Sequence, residues 1–90
     1  MSVMVKVNLP TPLTIYTEGR REVTATGATL DAVLHDLDRQ FPGMRFRMID
    51  ELGRGRAHMK FFLNGVQQRD LTANIREGDK VLIIAAISGG

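Results

Sequence analysis

The feature of this sequence that most limits its fold is a single apolar stripe, long enough for one helix, between residues 30 and 41. Apolar side chains recur there at the i, i+3, i+4, i+7 and i+11 spacing of one helix face: Leu30, Val33, Leu34, Leu37 and Phe41. Thr29 can cap the start of this helix, and Pro42-Gly43 ends it. The pattern predicts one main helix in a chain that otherwise has the periodicity of strands.

Two strand patterns precede the helix. In the first, apolar residues occupy alternate positions: Val3, Val5, Val7 and Leu9. Pro10 and Pro12 end this strand or confine it to a sheet edge, because proline cannot donate to a strand ladder. After a turn at residues 18–19, residues 21–26 alternate in the same way, which predicts a second, antiparallel strand.

The region after the helix contains a less regular segment and then a hairpin. Apolar residues between positions 44 and 57 indicate a short second helix: Met44, Phe46, Met48, Ile49 and Leu52. Residues 58–63 and 66–69 then flank Asn64-Gly65, a pair that tolerates the positive φ angles of a type I′ turn. In residues 81–87 apolar side chains occupy both strand parities, as expected of a central strand covered on both faces by its own domain or by a partner.

The order strand, strand, helix, strand, strand predicts an α+β fold. If the first and last strands are parallel neighbours, the helix lies in the right-handed crossover between them. This is the β-grasp architecture, a mixed sheet of four to five strands with one main helix packed across one face. We expect a single domain over residues 1–90, with a flexible C-terminal tail at residues 87–90.

Composition excludes several classes of protein. Ninety residues leave no room for a second domain, and the absence of cysteine excludes thiolate zinc sites, thiol nucleophiles and a disulfide-stapled scaffold. No basic leader is followed by a long apolar run, and no stretch of about 18 apolar residues occurs. We therefore expect a cytoplasmic protein that is neither exported nor inserted in a membrane.

Conventional active sites are not evident. His35 and His58 are the only histidines, no phosphate-binding glycine motif occurs, and a metal site made from these two residues is not expected. The arginines between residues 45 and 56 can attract phosphates, but no stacking aromatics lie beside them. A solvated loop or a patch for an acidic protein partner is therefore favoured over a nucleic-acid contact.

The tail Ile87-Ser88-Gly89-Gly90 is the strongest functional signal. Glycine adds no packing and weakens a strand, but without a Cβ it can enter a narrow cleft that excludes larger residues. An extended tail of this length reaches roughly 13 Å. The functional interpretation is that the carboxylate of Gly90 is itself the reactive group. The alternative interpretation is that the two glycines are a frayed terminus or a cloning remnant.

A carboxylate is anionic at neutral pH and a poor electrophile, so it needs activation. Conversion to an acyl-adenylate supplies a leaving group, and a sulfur nucleophile that displaces AMP leaves a thiocarboxylate. This small chain has no machinery for these steps. We therefore predict that it is no enzyme but a protein co-substrate, with no bound cofactor and with ATP used by a partner.

The chain resembles the ubiquitin-like sulfur carrier proteins of the MoaD/ThiS family, and looks closest to the carrier type used in cysteine synthesis. The similarity covers nearly the whole sequence. Its anchors are Gly27-Ala28-Thr29-Leu30, Phe41-Pro42-Gly43, Ile49-Asp50-Glu51 with Gly53, Phe61-Phe62-Leu63-Asn64-Gly65, Glu77-Gly78-Asp79-Lys80-Val81 and Gly89-Gly90. Ser88 stands where family members often have alanine. The segment at residues 44–57 is longer than in the shortest carriers, as in the cysteine-synthesis type.

The resemblance implies an E1-like adenylating enzyme, a sulfur donor and a sulfur-acceptor biosynthetic enzyme as partners. It also implies that Gly90 is adenylated and thiocarboxylated, with Gly89, Ser88 and Ile87 held in the partner's cleft. Three alternative functions remain. The chain could be a modifier joined through Gly90 to lysines of target proteins, a molybdopterin synthase small subunit, or a plain binding module that uses the arginine loop.

Strand parity predicts where a partner docks. Side chains alternate between the faces of a strand, so Phe62, Leu82 and Ile84 point away from the helix if their neighbours point toward it. These three residues would form an exposed apolar patch near the tail, similar in position to the partner-binding sheet face of ubiquitin. A bulge that shifts one strand and buries part of the patch is the alternative.

Overall fold

The structure, a computed structural model, describes residues 3–86 of the chain. Its strands are β1 (Val3–Asn8), β2 (Glu22–Gly27), β3 (Met59–Leu63), β4 (Val66–Gln67) and β5 (Lys80–Ala85). Its helices are a 3₁₀ helix (Thr11–Thr17), α1 (Leu30–Gln40) and α2 (Met44–Met48). The predicted tail at residues 87–90 lies outside the described residues.

The strands form one mixed sheet in the order β2-β1-β5-β3-β4. β1 and β5 pair in parallel, and the other neighbouring strands pair antiparallel. The first and last strands are thus parallel neighbours, with α1 in the connection between them. This confirms the predicted α+β fold, a ubiquitin-like β-grasp with five strands and one main helix.

The core lies between the sheet and α1. Residues with no exposed surface come from both layers and from α2: Val7, Val33, Leu34, Leu37, Met44, Met48 and Val81. Burial of each such side chain contributes about 1.5–3 kcal/mol. The apolar stripe that predicted the helix is therefore also what fixes α1 on the sheet.

The N-terminus of α1 is capped from two directions. The Thr29 hydroxyl accepts a hydrogen bond from the Ala32 N–H at 3.1 Å, as the sequence predicted. The N–H groups of Leu30 and Asp31 donate at 3.0 and 2.8 Å to backbone carbonyls in residues 71–73. These N–H groups have no partner inside the helix. The segment before β5 therefore helps to hold α1 in place, a long-range contact that the local pattern did not indicate.

Side chains of α1 also cover the free edge of β2. The Asp36 carboxylate accepts from the Thr26 N–H at 3.0 Å, and the Gln40 amide donates to the Thr24 carbonyl at 3.0 Å. Burial opposes ionisation of Asp36, but hydrogen bonds from Arg39, Thr26 and Gln40 outweigh it and hold its pKa below the ordinary value. An edge strand offers unpaired backbone groups to other chains, and the helix occupies part of this one.

The segment after β1 differs from the prediction. β1 ends at Asn8 and lies between β2 and β5, so the edge-strand alternative offered for Pro10 and Pro12 is wrong. The chain then forms the 3₁₀ helix, which the sequence did not predict. Leu13 in that helix is buried against the core, and this apolar contact, which depends on the tertiary fold, explains why the segment is ordered as a helix.

The second helix is shorter than the predicted apolar set. Phe46 lies on α2 but is 63% exposed, and Leu52 lies beyond α2 and is 70% exposed. The Asp50 carboxylate accepts from the N–H groups of Leu52 and Arg54, both at 2.9 Å. This turn uses backbone groups that a longer helix would need, so α2 ends before it.

The hairpin turn between β3 and β4 is as predicted, with φ of 53° at Asn64 and 85° at Gly65. The Asn64 amide donates to the Asp79 carboxylate at 2.9 Å, and the Lys80 N–H donates to Asn64 Oδ1 at 3.0 Å. Hydrogen bonds from the Asn64 amide and the Arg76 N–H hold the pKa of Asp79 below its usual value. Two of the sequence anchors are thus joined in space.

Candidate functional site

The base of the predicted reactive tail is described by the structure, although the tail itself is not. Ile87, Ser88, Gly89 and Gly90 lie outside the described residues. β5 ends at Ala85, and the Ala86 N–H donates to the His58 carbonyl at 2.6 Å. The tail therefore follows directly from the carboxyl end of a central strand, at a point fixed to the start of β3.

The outer face of the sheet carries the apolar patch that parity predicted. On β5, Val81 and Ile83 are buried against the helix side, whereas Leu82 and Ile84 are 40% and 38% exposed. Only one face of this central strand is covered by the described residues. The sequence left open whether the second face is covered by the domain itself or by a partner. Within residues 3–86, the domain does not cover it.

Phe62 completes the patch. It is half-buried and lies directly opposite Leu82 in the antiparallel register of β3 and β5, with Lys60 opposite Ile84. The register runs without a break from Met59 to Leu63, so no bulge displaces the patch. We call Phe62, Leu82 and Ile84 the outer patch; its role in binding a partner stays a prediction.

All three lysines of the chain lie on the same face as the outer patch, which sequence reasoning missed. Lys60 faces outward with Phe62, Lys80 faces outward with Leu82, and Lys6 lies beside Lys80 in the parallel register of β1 and β5. Strand parity places each lysine on the outer face, but only the pairing of β1, β5 and β3 brings them around the patch. A partner surface that covers this face is therefore expected to be apolar at its centre and acidic around it.

Part of the arginine-rich segment is paired within the chain. Arg45 forms an ion pair with Asp31 at 3.1 Å, and Arg54 forms one with Asp50 at 3.4 Å. The backbone hydrogen bond from Arg54 is the main reason that the pKa of Asp50 is below its ordinary value; burial opposes it, and the Leu52 N–H and the Arg54 charge lower it further. These two arginines thus have acidic neighbours and do not join the others in one uninterrupted basic surface.

Other chemistry-bearing side chains do not converge. Among residues 3–86, no group of three or more histidine, aspartate or glutamate side chains could hold a metal ion. His35 is on the exposed face of α1, with Nε2 at 3.4 Å from Asp31 Oδ2, and His58 is exposed just before β3. No helix formed by the described residues is long and apolar enough to cross a membrane.

Comparison with known proteins gives consistent matches over almost the whole chain. The model of the ThiS family matches residues 7–90. The sulfur carrier protein CysO of Mycobacterium tuberculosis is 35% identical over 91 residues, which cover 96% of this chain and 98% of the relative.

Solved structures agree with the sequence matches. The crystal structure of Mycobacterium tuberculosis CysO aligns with a TM-score of 0.87 at 33% identity and covers 92% of this chain and 99% of that chain. A chain of the Amycolatopsis orientalis BexX/CysO complex also aligns with a TM-score of 0.87, at 28% identity, over 96% of this chain and 99% of that chain.

Proposed function

The chain belongs to the ThiS family, and from this we propose that it is a sulfur carrier whose Gly90 carboxyl group is converted to a thiocarboxylate. The observation that supports the proposal most directly is that the match to relatives described as sulfur carriers covers nearly the full length of both chains and that the family match extends to residue 90. The chain is then a protein substrate of other enzymes.

The proposed chemistry takes place on the tail in two steps. A carboxylate oxygen of Gly90 attacks the α-phosphorus of ATP and displaces pyrophosphate, which gives an acyl-adenylate. A sulfur donor at the sulfide level then attacks the carbonyl carbon and displaces AMP, which leaves the thiocarboxylate. An acceptor enzyme then passes the sulfur to a biosynthetic product, and hydrolysis of the C–S bond by water restores the Gly90 carboxylate. We propose an E1-like enzyme for the first step, because the described residues contain no catalytic cluster of their own.

Glycine at residues 89 and 90 suits this role for a steric reason. An enzyme that adenylates a peptide carboxylate must close around it to exclude water, and residues without a Cβ pass through a narrower channel than any others. The tail follows from a strand in which Val81 and Ile83 are buried in the core, so the enzyme would hold an extension of a rigid body.

The mass of the protein recovered from its native cells tests this proposal. We expect the peptide that ends at Gly90 to show the mass increase of one oxygen replaced by sulfur, and to lose it after mild hydrolysis. An alkylating reagent should add one group to this peptide, because the chain has no cysteine to compete.

Three other results would contradict the proposal. A C-terminal peptide with an unmodified carboxylate under conditions of active sulfur metabolism would reject the carrier role. Conjugates that withstand thiol reagents, with Gly90 joined to lysines of other proteins, would assign the chain to the protein modifiers. A peptide that continues past residue 90 would remove the reactive carboxyl group from this position.

The outer patch is the proposed docking face for the adenylating enzyme. Phe62→Asp places a carboxylate at its centre, opposite Leu82, where it would be desolvated in the complex. We expect the dissociation constant for the adenylating enzyme to rise at least tenfold, as for the loss of a buried aromatic anchor. Isothermal titration calorimetry of each chain with the adenylating enzyme, in the presence of a non-hydrolysable ATP analogue, would measure this change.

Val66→Asp is the matched control. Val66 is 67% exposed on β4 but lies opposite Leu63, and therefore on the other face of the sheet from the outer patch. The Val66→Asp variant should bind the adenylating enzyme with an affinity within twofold of that of the unmodified chain. Both variants should unfold cooperatively. Equal affinities for the Phe62 and Val66 variants would reject the outer patch as the docking face.

A further inference from the structure

A groove of about 570 Å³ lies at the carboxyl end of β5. Met59 and Ala85, which line it, face the helix side of the sheet, so the groove and the outer patch lie on opposite sides of the sheet. Its floor is apolar and includes Leu13 and Met59, both buried in the core. Ala85 and Ala86, the last residues that the structure describes, form part of its wall. The last residue before the tail therefore lies in the wall of this groove.

The ionisable residues that line the groove are all basic: Arg47, Arg56 and His58. No acidic side chain of the described residues lines it. The ion pairs of the arginine-rich segment involve Arg45 and Arg54, and neither of these lines this groove. The groove thus combines an apolar floor with an unneutralised cationic rim.

Arg56 is held in a fixed orientation within that rim. Its Nε–H donates to the Phe46 carbonyl at 2.7 Å, and its guanidinium carbon lies 4.7 Å from the centre of the Phe46 ring. Stacking on an aromatic ring and a hydrogen bond through Nε leave the terminal nitrogens as oriented donors. A planar fork of this kind matches the two oxygens of a carboxylate. This also gives a role to Phe46, whose 63% exposure the core does not explain.

We propose that this groove binds the chain's own C-terminal segment, residues 87–90, with the Gly90 carboxyl group against the guanidinium groups of Arg47 and Arg56. The inference rests on the proposed function in one respect, namely that the reactive carboxyl group is that of Gly90. Four residues beyond Ala86 span up to roughly 13 Å, so the segment can turn back along a groove that its base already lines.

Proximity favours this occupant over a separate anion. A group attached through a short linker has an effective concentration on the order of millimolar at a nearby site, so even a weak contact is populated. The Ala86 N–H bond to the His58 carbonyl holds the residue before the segment in the groove wall. Ile87 supplies an apolar side chain for the floor, and the terminal carboxylate supplies the charge for the rim.

The contact would protect the reactive group between enzymes. The thiocarboxylate is an anion like the carboxylate and would bind the same cationic rim, where it is shielded from solvent oxidants. Guanidinium–carboxylate pairs near the surface are individually weak. An enzyme that grips the tail can therefore remove it from the groove at low cost, and docking on the outer patch leaves the groove side of the molecule free for this exchange.

Two forms of the full chain test the proposal, one with the natural Gly90 carboxylate and one with a semisynthetic Gly90 carboxamide. In two-dimensional proton–nitrogen NMR spectra, we expect the two forms to differ at the backbone signals of Arg47, Arg56 and His58 and at the Arg56 Nε–H. The differences should shrink in about 1 M NaCl, where the Debye length is ~3 Å. Differences confined to the residues next to the altered end would overturn the proposal.

Charge-reversal variants locate the site. In Arg47→Glu/Arg56→Glu the differences between the carboxylate and carboxamide forms should disappear from His58. In the control Arg76→Glu, in the turn before β5, the differences should persist, since the Arg76 side chain does not line the groove. Persistence in the double variant would overturn the proposal.

Differences that grow with protein concentration would also overturn it, because they would assign the groove to the tail of a second copy. Sulfur loading, measured by mass on the same samples, is a separate readout. The groove contact can therefore fail while the proposed function holds, and the reverse is equally visible.

Discussion

Removal of Gly89 and Gly90 is expected to abolish sulfur loading of this protein. Without them the chain would end at Ser88, whose side chain would have to enter a channel matched to glycine, and the carboxyl group would stop two residues, or roughly 7 Å, short of the adenylating site. A misplacement of that size removes the geometry on which the reaction depends. We expect a loss of at least a hundredfold in adenylation rate, measured by ATP–pyrophosphate exchange with the adenylating enzyme.

The fold itself should not change in the truncated chain. The sheet, α1 and the core are complete within residues 3–86, so the thermal unfolding midpoint should stay the same within error. Ser88→Ala is the matched control, because it alters the tail without changing its length or its terminal glycines, and it should load sulfur normally. A truncated chain that is still thiocarboxylated, or that replaces the native protein in cells, would exclude the terminal dipeptide as the reactive site.

Gly27→Ala is expected to lower the free energy of unfolding by about 2–3 kcal/mol, the upper part of the range for overpacking a close-packed site. A Cβ at residue 27 would lie 2.6 Å from the Val33 N and 2.8 Å from the Ala32 carbonyl carbon. Both atoms belong to the backbone of α1, so no side-chain rotation relieves the contact. The helix and β2 would have to separate at the point where the core is closed.

Chemical denaturation would measure this loss, and the unfolding temperature should fall on the order of 10–20 °C. Gly19→Ala provides the comparison. Gly19 has a φ of 89° but nothing within 4 Å of an added Cβ, so its replacement costs only the backbone strain of roughly 1–2 kcal/mol. A Gly27 variant that is no less stable than the unmodified chain would show that β2 and α1 tolerate a wider separation than the structure indicates.

The local sequence signals that predicted the fold correctly have a short physical range. The α1 stripe follows from the helix period, the Thr29 cap from a side chain that reaches three residues ahead, and the Asn64-Gly65 turn from allowed φ angles. The alternation of Leu82 and Ile84 with buried neighbours follows from the two-residue period of a strand. Each of these depends on residues within about one turn of structure, which the sequence displays directly.

The parts of the structure that the sequence analysis predicted wrongly or missed depend on contacts between residues far apart in the chain. The 3₁₀ helix is ordered by burial of Leu13 against a core built from other segments, and α2 ends because Asp50 takes backbone groups beyond it. The lysines around the outer patch become neighbours only when β1, β5 and β3 pair. Nothing in their sequence spacing sets that register.

The amino-acid order alone therefore determined that this chain makes one helix on a mixed sheet and places two glycines at the end of an apolar strand, because periodicity and backbone freedom are properties of short segments. Only the tertiary structure determines which surfaces of the molecule lie beside the end of that strand. The basic groove joins side chains from α2 and the loop before β3 to the end of β5, and the register of β3 and β5 sets Phe62 opposite Leu82 within the patch that strand parity predicted. Those juxtapositions are made by strand pairing and core packing between residues far apart in sequence, and local patterns do not encode them.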